Sequence, residues 1–346
     1  MLDQRRTTNV LLLIIVVPLV FYLLKILSFI FIPLVFSMFI ALLFLPLMRW
    51  FGRRKIPKFV SVIIVLLLVI GGLKLGIELI QLSSKEIIAT KSEFFPKAEE
   101  RLGEIKLYLS DTFGVEYEQN KNIFAQFFEK ENLGSTIGFL RTFLTTLLMT
   151  VFFVILWLAE SINVYKLLNN TLLKQKYTSV KTFMKIENDL IKFIKVKFLV
   201  SVLTGLFTGL MCVFFDVSFP IFWGLFAFAI NFVQMVGSFI SVILLSIFAF
   251  VELDPTSTLF FFILSVALVQ VVFGAILEPI FMGKSFSINI IAVLVMLMFW
   301  GFLWGIPGLI MAIPITVFIK IILEQFPGTK LIASLLSGKQ TDLKEL

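Results

Sequence analysis

Glu278 is the acidic residue of this sequence that is best placed to do chemistry. It follows a long apolar run, 259–277, and precedes Pro279 and Gly283. An ionised acid at membrane depth costs about 2.5–3.5 kcal/mol, so such residues usually face a cavity or a partner. A carboxyl group there could exchange protons or hold a monovalent cation. The alternative is a position at the outer interface, where water or the N–H groups of Met282 and Gly283 would satisfy it.

Three amide side chains lie inside the apolar runs and could contact a polar solute. Asn231 and Gln234 belong to the run 221–250, and Gln270 belongs to the run 259–277. An amide offers both donors and acceptors, which suits recognition of a polar solute. The alternative is hydrogen bonding between helices, which contributes about 0.6 kcal/mol on average in a membrane protein. The sequence alone leaves both roles open.

Glycine and proline residues in the C-terminal half could break helices or let them pack closely. At about 1.5 Å per residue, a continuous helix over 287–322 would be roughly 50 Å long, whereas the hydrocarbon core is about 30 Å thick. We therefore expect this run to tilt, to extend beyond the membrane or to break near 305–308. Broken backbone at membrane depth normally lines a cavity. The candidates for packing or breaking are Gly205, Gly209, Gly237, Gly301, Gly305, Pro307 and Gly308.

The composition indicates a membrane protein without the side chains of common enzyme centres. Of 346 residues, 59% are hydrophobic and 15% are charged, whereas soluble domains carry about 25% charged residues. There is no histidine and one cysteine, Cys212. A Ser-His-Asp triad, a His/Cys zinc site and an intrachain disulfide are therefore excluded. We expect no enzymatic activity and no cofactor.

The apolar runs predict an all-α polytopic membrane protein with about eight transmembrane helices and a broken or re-entrant C-terminal region. Its formal net charge of +8 is concentrated in short loops, which indicates the positive-inside rule rather than nucleic acid. The predicted segments are 1–82 with helices 1–3, 83–135 as an extracytoplasmic charged amphipathic segment, 136–160 with helix 4, 161–200 as a cytoplasmic basic amphipathic helix, 201–323 with helices 5–8, and 324–346 as a cytoplasmic tail.

Charge counts set the expected sidedness. Segment 83–135 has seven basic and ten acidic residues, whereas segment 161–200 has eight basic and two acidic residues. The first is expected outside, as a pair of amphipathic helices, and the second inside. The basic face of the second consists of Lys181, Lys185, Asn188, Lys192 and Lys195. We also expect the sixth transmembrane span to cover 221–250, followed by a seventh span and an outer or re-entrant loop at 278–287.

The N-terminal run 10–48 is too long for one upright span. It predicts two short helices that turn near 25–28 or at Pro33. A single long tilted helix is the alternative.

A set of ordered motifs resembles the autoinducer-2 exporter family of PerM-like bacterial permeases. The Glu-Pro-x-x-x-Gly motif at Glu278–Gly283 is the most specific piece. Where that family usually has Ile-Pro-x-x-Gly, this chain has Val233–Gly237, with Gln234 in place of the proline. The other matching pieces are Gly205 with Gly209, Phe219–Pro220 followed by Trp223–Leu225, Asn231–Gly237, Phe299–Gly308 and Ala312–Pro314.

The resemblance implies a homo-oligomeric, multi-pass transporter of the bacterial inner membrane. Some members of that family are described as exporters of small polar signalling molecules, and others as sodium or lithium/proton antiporters. The expected partners are the lipid bilayer and a small polar solute or monovalent cation, with no nucleic acid. The alternative function is a membrane scaffold or envelope-assembly factor that binds partners through segment 83–135.

Overall fold

The computed structural model describes residues 2–113, 145–160, 177–233, 236–253, 257–283, 289–325 and 327–337, and these contain helices and no strand. The apolar composition of these helices makes the chain an all-α polytopic membrane protein. The helices are α1 (Leu2–Ile26), α2 (Ser28–Arg53), α3 (Lys58–Phe113), α4 (Thr145–Glu160), α5 (Tyr177–Phe214), α6 (Pro220–Ile230), α7 (Val236–Glu252), α8 (Ser257–Met282), α9 (Ile290–Gln325) and α10 (Lys330–Ser337).

Five helices of the described residues contain a segment long and apolar enough to cross a membrane: Ser28–Arg53, Lys58–Thr90, Met184–Phe214, Ser257–Met282 and Ile290–Glu324. Shorter apolar helices occur alongside them, among them α4, α6 and α7. The eight expected spans therefore do not correspond one to one with the helices, because short helices replace one expected span.

The N-terminal run forms two helices that separate at Leu27, inside the expected turn 25–28. Proline at position 33 lies within α2 and does not end it. The next helix differs from the expectation. Helix α3 continues for 56 residues from Lys58 to Phe113, through the expected boundary at residue 82. The prediction of a separate helix pair is thus wrong up to residue 113, and residues 114–135 lie outside the described part.

The expected sixth span, 221–250, is wrong, because this run forms the two helices α6 and α7. The chain turns at Asn231–Val233, where the α-helical pattern stops. Gly237 begins the return beside Ile230, and a Cβ atom at position 237 would overlap the Ile230 carbonyl oxygen. A helix of 11 residues is about 16 Å long, which is too short to cross a bilayer core of about 30 Å.

The expected break in the last apolar run lies at Gly305, whose φ of 63° and ψ of −139° are not helical. The segments 290–304 and 306–325 pack closely just beyond it. A Cβ atom at Gly308 would overlap the Trp300 carbonyl oxygen, and one at Gly301 would lie 2.8 Å from a Leu309 methyl group. In a straight helix Trp300 and Gly308 would be about 12 Å apart. Helix α9 therefore bends sharply at Gly305.

The chain divides into two compact units. The first unit comprises Met1–Leu68, Phe143–Lys195 and Met282–Leu346. Within it, the bend of α9 packs against the end of α1. The Trp304 Nε1 group donates a hydrogen bond of 3.0 Å to the Leu24 carbonyl oxygen. The rings of Phe21 and Phe299 meet edge to face at 4.9 Å.

The second unit comprises Val69–Thr142 and Val196–Phe281. It contains the second half of α5, the helices α6 and α7, and nearly all of α8. Most polar candidates of the sequence lie in this unit.

Candidate functional site

Helices α5 and α8 run antiparallel in the second unit, and three pairs of residues fix their register. Lys197 pairs with Glu278 at one end. The rings of Phe207 and Phe273 lie 5.0 Å apart further along, and those of Phe215 and Phe262 lie 5.6 Å apart near the other end. The two helices therefore place side by side residues that are 47 to 81 positions apart in the sequence.

Helices α6 and α7 form a hairpin, and α6 packs directly on α5. A Cβ atom at Gly205 would lie 2.6 Å from the Gly224 carbonyl oxygen, and one at Gly209 would lie 3.1 Å from that of Pro220. Only glycine at position 205 permits this backbone contact. Small residues generally let membrane helices approach each other closely in this way. The two ends of the hairpin meet at Glu252, whose carboxylate accepts hydrogen bonds from the Ser218 N–H and hydroxyl groups.

The turn of the hairpin reaches the level of Ser201 on α5. The Asn231 Nδ2 group donates a hydrogen bond of 2.9 Å to Ser201 Oγ. On α8, Gly274 faces Ser238, and a Cβ atom there would lie 3.6 Å from the serine oxygen. Lys197 lies one helical turn beyond Ser201, and Glu278 one turn beyond Gly274. The hairpin turn thus ends about one turn from the Lys197–Glu278 pair.

Lys197 and Glu278 form an ion pair in the interior of the second unit. The Lys197 Nζ atom lies 2.9 Å from Glu278 Oε1 and 3.0 Å from Oε2. The two residues are 2% and 3% exposed. In the first unit Lys320 is equally buried, but its partner Glu324 has a side chain that is 41% exposed. Among the ion pairs of the described residues, only Lys197–Glu278 has both side chains buried.

A widened helical segment orients Glu278 toward Lys197. Residues Val271–Leu277 form a π-helical segment, and the Glu278 N–H group bonds to the Phe273 carbonyl oxygen, five residues back. Pro279 follows, and a proline lacks the N–H group that an α-helix needs at that position. In a regular α-helix Gln270 and Glu278 would differ by about 80° around the axis. The wider turn reduces this difference, and both side chains are buried.

Lys197 also begins a polar stripe along one face of α5. Ser201, Thr204 and Thr208 follow it at spacings of 4, 3 and 4 residues, which place them on one side of the helix. All three are fully buried. Two further polar side chains face the same interior from α7 and α8, since Gln270 Nε2 lies 3.5 Å from Ser241 Oγ. The interior of this unit therefore contains a continuous series of polar groups beside the ion pair.

An apolar cluster fills the opposite end of the second unit. Two phenylalanines show its packing, because the ring of Phe94 from α3 stacks on that of Phe248 at 4.7 Å. The Phe94 ring also contacts the ring of Phe219, at a centroid distance of 5.8 Å. The cluster excludes water from that end, since its core consists of Cys212, Val217, Phe219, Trp223, Leu245, Ala249, Leu259, Phe262 and Val266.

The structure brings three of the sequence candidates into this interior: Glu278, Asn231 and Gln270. Pro279 is exposed at the surface of α8. Gly283 ends that helix with a φ of 78° and belongs to the first unit. Gln234 lies outside the described residues. Among the glycines and prolines, Gly205, Gly209 and Gly237 shape the α6–α7 hairpin, whereas Gly301, Gly305, Pro307 and Gly308 lie at the bend of α9 in the first unit.

Sequence reasoning missed Lys197, Ser201, Thr204 and Thr208. Lys197 was counted with the basic residues of the cytoplasmic segment, but its side chain is buried against Glu278. A signal was present in the spacing. Position 197 is off the exposed face of Lys185, Lys192 and Lys195 and in phase with the three hydroxyl residues that follow it.

Residue 278 lies at the level of Lys197, because the two side chains are in contact. The sequence predicts segment 161–200 inside and an outer or re-entrant loop at 278–287, and an outer loop would be far from residue 197. The contact is explained by the α6–α7 hairpin, because α8 then runs back along α5 toward residue 197. Residues Glu278–Met282 are helical rather than a loop, and 284–288 lie outside the described residues.

The candidate site is made of side chains that suit protons, monovalent cations or polar solutes. In the part of the chain that the structure describes, no group of three or more His, Cys, Asp or Glu side chains is arranged to hold a metal ion. The site offers one carboxylate, one ammonium group, hydroxyl groups and amides. These are the groups that transport proteins place at membrane depth.

Comparison with known proteins identifies the family of this chain. Residues 11–328 match the family described as the AI-2E family transporter. Because the match covers nearly the whole chain, the protein belongs to this family and is a multi-pass membrane protein of the transporter class. The family resemblance expected from the motifs is thus confirmed.

Individual relatives are similar along most of their length. A protein of Borreliella burgdorferi with a provisional transport-protein name is 27% identical over 324 residues, which cover 91% of this chain and 87% of the relative. The AI-2 transport protein TqsA of Escherichia coli is 25% identical over 316 residues, 88% of this chain and 89% of the relative. YrrI of Bacillus subtilis, also provisionally named a transport protein, is 24% identical over 317 residues, 86% of each chain.

Proposed function

We propose that this protein is a secondary transporter of the bacterial inner membrane that moves a small polar solute or signalling molecule, coupled to exchange of a monovalent cation for a proton at the Lys197–Glu278 pair. The observation that carries the proposal is the Lys197–Glu278 pair, with both partners buried beside a series of polar groups. Charged groups inside a membrane protein are costly, and they are generally retained for a transport pathway.

The pair provides a way to exchange charges without leaving a net charge in the interior. In the resting state the Lys197 ammonium group neutralises the Glu278 carboxylate. When a monovalent cation binds the carboxylate, Lys197 releases one proton to water and becomes neutral. Both states then have zero net charge at the pair, which limits the desolvation cost of the exchange. One proton leaves for each cation that enters, and the reverse step restores the ion pair.

Purified protein in liposomes tests the proposal. Internal pH is followed with a trapped dye while sodium, lithium or potassium is added outside, with empty liposomes as the blank. The key variant is the double substitution K197M/E278Q, because it removes both charges and keeps the interior neutral. We expect wild-type protein to move protons when a cation is added and the double variant to move none.

The matched control is Glu104→Gln, which removes an exposed carboxylate from its ion pair with Arg101. It should retain the wild-type rate per reconstituted molecule. Full proton movement in K197M/E278Q would remove the pair from the mechanism. A flat trace from correctly inserted wild-type protein would reject cation/proton exchange and leave uncoupled movement of an organic solute.

The alternative scaffold function rests on segment 83–135, and the structure gives part of that segment a packing role. Ile87 and Phe94 pack against the apolar cluster of the second unit. This packing ties α3 to the helices that contain the ion pair, which favours the transport proposal. We further propose that the transporter assembles from several copies of this chain, which the mass of the detergent-solubilised complex would test.

A further inference from the structure

Among the buried oxygen atoms of the second unit that lack a hydrogen-bond partner in the described residues, three lie along the polar stripe of α5 and beside it on α8: Thr204 Oγ1, Thr208 Oγ1 and Gln270 Oε1. Thr204 and Thr208 are fully buried, and Gln270 is 5% exposed. More than about 90% of buried polar groups in proteins have a partner, so three such atoms in one interior require an explanation. A buried polar atom without a partner loses its hydrogen bonds to water and gains none in return.

These atoms occupy two adjacent levels of the unit. The register of α5 and α8, set by Phe207 with Phe273 and Phe215 with Phe262, places Gln270 at the level of Thr208. Thr204 is one turn closer to the ion pair. All three atoms can accept a hydrogen bond, and the two hydroxyl groups can also donate one. Small molecules that donate hydrogen bonds would therefore satisfy all three atoms.

The spacing of the polar groups fits single water molecules. From Lys197 to Ser201, Thr204 and Thr208 the steps along α5 are about 6, 4.5 and 6 Å at 1.5 Å per residue. Two hydrogen bonds of about 2.8 Å through one water span about 5.6 Å. Buried waters typically bond otherwise unsatisfied polar groups in this way.

We propose that Ser201, Thr204, Thr208 and Gln270 line a file of bound water molecules that leads from the Lys197–Glu278 pair to the apolar cluster. This file is the route by which protons and water reach the ion pair when the cluster opens. The proposal rests on the proposed function for its role in transport, whereas the presence of water can be tested without transport.

Silver ion is a suitable probe, because it travels with water through narrow passages and blocks cysteine thiols. Cysteine is introduced at Thr204 or Thr208 in protein carrying Cys212→Ala, and thiols still free after exposure are counted with a fluorescent maleimide under denaturing conditions. Leu206→Cys and Leu210→Cys are matched controls on the opposite face of α5, where the native residues are 55% and 47% exposed to the apolar surroundings of the helix.

We expect silver to block positions 204 and 208 at least about tenfold faster than 206 and 210, because thiols react as thiolates in contact with water. Silver is added to each side of the membrane in turn, and reaction from either side supports the file. If silver blocks neither position from either side of the membrane, the proposed file is wrong, even if the wild-type protein transports protons.

The role of the file in transport has its own test. The double variant T204V/T208V should lose most cation-dependent proton movement, and T204S/T208S should keep it. Full proton movement in T204V/T208V would reject the file as the proton route. If silver reaches both positions but wild-type protein moves no protons, the water file stands and the proposed exchange fails.

Discussion

Neutralising one member of the Lys197–Glu278 pair should destabilise the protein far more than neutralising both. The ammonium nitrogen lies 2.9 and 3.0 Å from the two carboxylate oxygens, and neither side chain reaches solvent. At an effective dielectric constant of about 20, two unit charges at this distance attract by about 6 kcal/mol. Removing one partner leaves the other charge buried and unpaired, which typically costs about 3–5 kcal/mol.

We therefore expect Glu278→Gln and Lys197→Met each to lower the free energy of unfolding by about 3–5 kcal/mol. The combined variant K197M/E278Q should lose much less than the sum, because no charge then remains to be solvated. The measurement is unfolding of the purified protein in detergent, followed by circular dichroism for the wild type, both single variants and the double variant.

The pair Arg101–Glu104, at 2.9 Å, provides the comparison at nearly equal distance, because its carboxylate is exposed. Glu104→Gln should change stability by less than about 1 kcal/mol, because water already solvates the carboxylate, whose side chain is 59% exposed. If Glu278→Gln were as mild as Glu104→Gln, the interior pair would be solvated and the reasoning would fail. It would fail equally if the double variant lost the full sum of the single losses.

Two further predictions concern glycines. Gly205→Ala should destabilise the protein by about 1–3 kcal/mol, because the added Cβ atom would lie 2.6 Å from the Gly224 carbonyl oxygen. Gly72→Ala is the control and should not destabilise it, because nothing lies within 4 Å of that added carbon. Equal melting temperatures for the two variants would contradict the close packing of α5 on α6. Gly305→Ala should destabilise the protein by about 1–3 kcal/mol through the φ of 63° alone, since nothing lies within 4 Å of the added carbon. Gly52→Ala, also in open space, is the control in the same melting experiment. A wild-type melting temperature for Gly305→Ala would show that α9 does not need this bend.

The sequence predicted the membrane class, the family and the helical content, because these depend on composition and on motifs that are local in the chain. A break near 305–308 was one of three alternatives for the last apolar run, because a run longer than the bilayer must tilt, protrude or break, and the structure shows the break at Gly305. Sequence reasoning failed at the sixth span, because Ile221–Phe250 has the length and hydropathy of a crossing helix. Whether such a run crosses or turns back depends on contacts such as Gly205 with Gly224, which no local pattern reveals.

The failure at Lys197 has a different physical origin. A lysine near a helix end was treated as one more cytoplasmic charge, because the positive-inside rule counts charges without asking which way they point. Helical phase separates the two cases. Lys185, Lys192 and Lys195 occupy an exposed face, whereas Lys197 is in phase with Ser201, Thr204 and Thr208 and is buried. A lysine that shares its helix face with hydroxyl groups inside an apolar helix therefore indicates an interior partner, and here that partner is the carboxylate at the end of α8.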